Sequence, residues 1–152
     1  MSPDHGISRM MEHLADFDVS ASRISKWSVG MHLHHCCRST IGICKALAAS
    51  EEPVPPRGFN PKREVLLRTG WIPRRRAKAP DIAMPSDAIT REEVEELLAK
   101  AREHLSAATE LPPTRWFRHF ILGVLDRDDS LRFIDVHNRH HLKIVARILT
   151  AR

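Results

Sequence analysis

The sequence predicts an all-α protein, a four-helix bundle with one long proline-rich crossover between its second and third helices. Three observations carry this expectation. Apolar residues recur at three- and four-residue spacing in four stretches, and no stretch carries a strand signal worth counting. Seven prolines fall between Glu51 and Asp87, which excludes long regular structure there. A capping box, Thr90-Arg91-Glu92-Glu93, opens a helix directly after that segment. The 152 residues suit one domain, 1–152, built on a single core.

The first helix is expected over residues 8–16, with Met10, Met11, Leu14 and Phe17 as its apolar positions. A polar turn rich in small residues follows. The second helix opens at Lys26-Trp27-Ser28-Val29, with Ser28 as N-cap, and runs to about Ala49. Its apolar stripe is Val29, Leu33, Cys36, Cys37, Thr40, Cys44 and Leu47. His35, Ser39, Gly42 and Ala46 share a narrow sector of small or polar residues, a face that lets another helix come close. His34 falls in the sector of Arg38, Ile41 and Lys45, which reads as more exposed. Two histidines lying partly exposed on a helix flank would give the same pattern.

Within the crossover, Pro61 to about Thr69 reads as a short helix, with Pro in its first turn and Gly70 after its end. The run Gly70-Trp71-Ile72-Pro73-Arg74-Arg75-Arg76-Ala77-Lys78-Ala79-Pro80 is basic and irregular. Its arginines are expected at the surface, and Trp71 is expected to anchor the segment against the bundle. The third helix runs from the capping box to about Ala108. Val94, Leu97, Leu98, Ala101 and Leu105 form its buried face, and Glu95, Glu96, Lys100, Arg102 and Glu103 its solvated one. Pro112-Pro113 ends that stretch, and Trp116 to Leu122 is apolar enough to cover one end of the core.

The last helix is expected over residues 128–149, with no Pro or Gly inside. Ile134, His137, His141, Ile144 and Ile148 fall on one stripe, so two imidazoles one turn apart interrupt an otherwise aliphatic face. Interior histidines need polar partners or a metal. Two such rings are close enough to bind one ion together. His140 sits about 100° round the helix from His141, which leaves it off that face.

Composition bounds the function classes. The chain is 42% hydrophobic and 28% charged, an ordinary globular balance. Its formal net charge of +5 permits an anionic partner without demanding one. Aromatics make up 5% and Tyr is absent, so platforms for base stacking are poorly supplied. No apolar run reaches the roughly 18 residues of a membrane span, and the first residues lack the pattern of a signal peptide. The three cysteines, Cys36, Cys37 and Cys44, lie in one helix, with the adjacent pair badly placed to bridge. They read as reduced core thiols of a cytoplasmic protein, and they lack the CxxC spacing of a metal site.

Two motifs carry a family resemblance. Trp27-Ser28-Val29-Gly30 followed by Leu33-His34-His35-Cys36 resembles the second-helix signature of the DinB-like superfamily, Trp-Ser followed by a His eight residues after the Trp, here His35. His137-Asn138-Arg139-His140-His141 resembles that superfamily's HxxxH on its fourth helix. Gly70-Trp71-Ile72-Pro73 and Lys78-Ala79-Pro80 are similar to a subgroup without an assigned activity. The likeness extends over residues 10–49, 66–80 and 120–149.

The resemblance implies a divalent metal ion held by His35, His137 and His141. It also implies either a transferase that uses a small-molecule thiol or a metal-dependent hydrolase acting on another small substrate. Three neutral imidazoles suit Zn, Ni or Fe(II) and leave open coordination positions. Glu12, Asp16 and Asp135 are candidate general bases without geometric support, and His34 and His140 are candidates to line the site, to donate to its ligands from behind, or to face solvent. A second reading is a non-catalytic, stress-associated bundle in which the ion ties two helices together. A third, a nucleic-acid binder using Arg74, Arg75, Arg76 and Lys78, lacks a recognition motif and is not expected. A homodimer is left open.

Overall fold

The computed structural model describes residues 3–74 and 88–152. Among these, α1 is Pro3–Glu12, α2 Val29–Ala49, α3 Pro61–Thr69, α4 Arg91–Thr109 and α5 Arg127–Thr150. The four long helices α1, α2, α4 and α5 form the all-α bundle, and α3 lies in the crossover and packs on α5.

Local chemistry sets the helix ends. Ser28 accepts the N–H of Met31 at 3.2 Å, Asn60 that of Arg63 at 3.1 Å, Thr90 that of Glu93 at 3.1 Å and Asp126 that of Asp129 at 2.8 Å. Gly70 closes α3 at φ +65°, a left-handed position that costs a glycine little. The first helix starts earlier than the sequence suggests, with Pro3 and Asp4 in its first turn, and residues 13–16 tighten into a 3-10 turn. Its core residues are therefore Ile7 and Met10, one helical face, while Met11 is 41% exposed.

One departure from the expected all-helical pattern is a two-stranded antiparallel hairpin, β1 Trp116–His119 and β2 Gly123–Asp126. Residues 120–122 make the turn. The His119 ring accepts the backbone N–H groups of Ile121 and Leu122 through Nδ1, at 3.0 and 3.1 Å, and Gly123 supplies φ +72°. This left-handed position, at the first residue of β2, is one that glycine adopts without strain. As expected for this stretch, it covers one end of the core, with Leu122 buried and Phe117 and Ile121 packed against the cluster.

The crossover is held by polar side chains. Arg63 is buried, and its guanidinium donates to the carbonyls of Arg57 and Gly58 at 3.3 and 2.6 Å. Arg57 pairs with Asp126 and Asp129 at the start of α5. Trp71 does not anchor the segment. It is 61% exposed, and its neighbour Ile72 packs against the core instead. Arg74 donates to the carbonyl of Ile24 at 2.6 Å, whereas Arg75, Arg76 and Lys78 lie outside the described residues.

The core runs the length of α2. Val29, Leu33, Cys36, Cys37, Thr40, Cys44 and Leu47 are all buried, opposite Val94, Leu97, Leu98, Ala101 and Leu105 of α4 and Ile134, Ile144 and Ile148 of α5. Burial pushes the Cys37 and Cys44 thiols up to about 12 and that of Cys36 up as well, so all three stay protonated and free. The solvated face of α4 has one exception in Arg102, which donates to Asp4 at 2.8 Å and to Ser8 at 2.7 Å on α1. The seam of small residues on α2 does not receive a helix along its length. Gly42 is exposed and has nothing within 4 Å of where a Cβ would stand.

Gly30 is the position where a small residue is needed. Its N–H donates to the Phe17 carbonyl at 2.9 Å, and a Cβ built on it would lie 2.4 Å from the buried Phe17 ring. Gly30→Ala is therefore expected to cost about 1–3 kcal/mol through overpacking. Urea unfolding measures it, and a midpoint equal to the wild type would show that the ring moves aside freely.

Candidate metal centre

The first turns of α2 and the middle of α5 build the centre. Ser28 caps α2 just after Trp27, so His32 and His35 emerge one turn apart near the start of the helix. His137 and His141 stand one turn apart on α5. His35, His137 and His141 each offer one ring nitrogen, and these three atoms lie within 4.8 Å of one another. His35 Nε2 and His137 Nε2 are 3.1 Å apart. Ring centroids are 5.0 Å apart for His35 and His137, and 4.7 Å for each of the other two pairs.

Aromatic rings pack against the group. Trp27 stacks on His141, with centroids 6.1 Å apart and planes 13° from parallel, and it also touches His32 and His35. Phe133, one turn before His137, packs on that ring at 5.6 Å, and the hairpin's His119 packs edge-on against Phe133 at 4.7 Å. The Trp of the Trp-Ser motif thus contacts two of the three rings, and the hairpin reaches the group through His119 and Phe133.

Burial shifts two of the three rings. Burial, then the His35 ring, holds His137 well below the ordinary imidazole value. Burial, then the His137 and His35 rings, does the same for His141. Neutral rings keep the lone pairs that a metal needs. Tetrahedral Zn–N bonds of about 2.0–2.1 Å require donor nitrogens roughly 3.3 Å apart. The 3.1 Å between His35 and His137 is close to that spacing. The donor set therefore fits a divalent ion such as zinc, and three donors leave one position of a tetrahedral shell for a further ligand. Among the described residues no carboxylate or thiol joins the group.

The candidate bases are engaged elsewhere. Asp135 is buried and ion-paired with Arg132 and Arg139, each at 3.2 Å, on the side of α5 that faces Gly70. Glu12 is exposed beside Arg9, and Asp16 lies near His13 and Arg152. Asn138, fully buried, donates to Thr40 at 3.3 Å and ties α5 to α2 beside the site.

The adjacent histidines separate from the triad. His34 is not the exposed flank residue its sector suggests, because α4 covers it. Only 8% exposed, it directs Nε2 to within 3.6 Å of the Glu93 carboxylate, and burial lowers its pKa against the opposing pull of that acid. His140 lines a cleft with Trp71, Arg74, Lys143 and Arg147, and burial followed by the nearby Arg74 and Lys143 lowers its pKa.

Sequence reasoning missed His32. It is buried, its Nδ1 lies 2.9 Å from His141 Nδ1, and burial followed by the His35 ring lowers its pKa to about 3. The signal was its three-residue spacing to His35, which puts the two rings on neighbouring turns of one face.

The family model of the DinB superfamily matches residues 7–145. No curated protein and no solved structure matches the chain.

Proposed function

The chain belongs to the DinB superfamily, and from that premise we propose that it binds a divalent metal ion through His35, His137 and His141 and acts as a metal-dependent enzyme on a small molecule, as a thiol-dependent transferase or a hydrolase. One observation carries the proposal: three imidazole nitrogens from two helices converge within 4.8 Å beside Trp27, where burial holds His137 and His141 well below the ordinary imidazole value.

A metal bound there would supply Lewis acidity, lowering the pKa of a coordinated water or thiol. The chain's own residues do the rest. Trp27 and Phe133 pack on the rings of His141 and His137, and the Asn138–Thr40 bond ties α5 to α2. The cleft lined by His140, whose ring packs edge-on against His141, also carries Arg74, Lys143 and Arg147, which suits a substrate carrying negative charge. The free, protonated cysteines are in keeping with a reducing compartment such as the cytoplasm.

A second reading has a specific observation in its favour. No carboxylate stands in the triad among the described residues, and Asp135, Glu12 and Asp16 are turned to other partners. The ion would then serve only to tie α2 to α5. Metal analysis by mass spectrometry on untagged protein, followed by a turnover screen with several thiols and ester or amide substrates, separates the two. Stoichiometric metal with turnover supports the enzyme. Stoichiometric metal that raises stability without turnover supports the structural tie, and failure to take up metal removes both.

A further inference from the structure

His32 precedes His35 on α2 and is buried with both ring nitrogens engaged. Its Nδ1 lies 2.9 Å from His141 Nδ1, and its Nε2 lies 3.0 Å from Ser25 Oγ. Ser25 Oγ also accepts the backbone N–H of Trp27 at 3.1 Å. The His32 ring is wedged against Trp27, with centroids 5.2 Å apart. A short row therefore leads from His141 through His32 to Ser25, just ahead of α2.

Proton counting decides what this row can do. A neutral imidazole has one N–H and one lone pair. Two Nδ1 atoms in contact form a hydrogen bond only when one of them carries the proton. His141 Nδ1 is occupied by His32, so the nitrogen left for an ion is Nε2, which must present its lone pair. The His141 proton then sits on Nδ1 and His32 Nδ1 accepts it. The proton of His32 is in turn on Nε2, and Ser25 Oγ accepts that one with the lone pair not used by Trp27. The reverse assignment puts a proton on His141 Nε2 and closes it to metal.

We infer that His32 is a positioning residue of the centre: it accepts the Nδ1–H of His141 and thereby holds that ring in the tautomer and orientation that turn Nε2 toward His35 and His137. The inference rests on the metal reading of the triad. Carboxylates, backbone carbonyls or water usually fill this outer role. Here an imidazole anchored on a serine fills it, which lets the site stay free of negative charge.

The test uses the full untagged chain and Zn²⁺ alone. Zinc affinity is measured by competition with a chromogenic chelator for wild type, His32→Ala and His32→Gln. Ring ¹⁵N shifts of the zinc-loaded wild type report which His141 nitrogen carries the proton. His32→Ala is expected to weaken zinc binding about 10–100-fold. His32→Gln, whose amide oxygen can accept the same proton, recovers most of that loss. His141 should show a protonated Nδ1 and a metal-bound Nε2. Unchanged affinity in His32→Ala, zinc on His141 Nδ1, or His32 itself as a fourth ligand overturns the inference. The ring shifts need no variant, so a misfolded His32→Ala leaves the test intact. A wild type that binds no zinc overturns the metal reading as well, which distinguishes that failure from a failure of His32 alone.

Discussion

His35→Ala and His141→Ala each lose the metal, with affinity falling by more than about 100-fold, while His34→Ala and His140→Ala keep most of it. Removing an outer partner of a ligand already costs about 10–100-fold, so removing one ligand of three should cost more. The neighbouring rings are poorly placed to substitute. His34 is held toward Glu93 between α2 and α4, and His140 faces the cleft by Trp71 and Lys143. Each would have to turn by roughly 100° about its helix to replace its neighbour. Equilibrium dialysis with zinc on all four variants measures the pattern. Retention in His35→Ala with loss in His34→Ala would mean that the other face of α2 supplies the ligand.

Acid should destabilise the metal-free protein between pH 6.5 and about 4, by roughly 10 °C in Tm on going from pH 7.5 to 5. His119 illustrates the cause. Burial lowers its pKa to about 4, and its Nδ1 lone pair accepts two backbone N–H groups that a proton would displace. His32 is lowered further, to about 3, and His137 and His141 move the same way. Unfolded histidines titrate near 6.5. Below that value the unfolded chain binds protons that the folded chain refuses, so stability is complete above pH 6.5 and is lost as pH falls through the window. Each such group contributes a slope of about 1.4 kcal/mol per pH unit within its window. His119 and His32 alone, two groups over 1.5 units, amount to about 4 kcal/mol, hence the expected shift in Tm. Thermal unfolding in a pH series measures it, and a flat profile from pH 7.5 to 5 would show that these rings take up protons without loss of the fold.

Much of the bundle was legible because its helix ends are written in local chemistry. Ser28, Thr90 and Gly70 mark boundaries that depend on a side-chain oxygen or a left-handed residue, and all three stand where the residues say they should. The two imidazoles of α5 were visible because they break an aliphatic stripe. Other features depend on neighbours that a single segment does not reveal. Trp71 and Ile72 are adjacent apolar residues, and only the packed core decides that Ile72 goes inward. His34 is buried because α4 crosses it, which its own helix cannot show. Gly42 permits close approach without requiring it. The hairpin strands are four residues each, too short for alternation to stand out. His32 escaped notice because its role lies in a contact with α5 and a loop serine rather than in a motif of its own.

The most direct measurement is a crystal structure of the zinc-loaded full chain. The expected result is one ion bound by a ring nitrogen from each of His35, His137 and His141 at about 2.0–2.1 Å, with a non-protein ligand completing the shell. An ion held by other residues, or the three rings remaining without zinc at saturating concentration, would contradict the account.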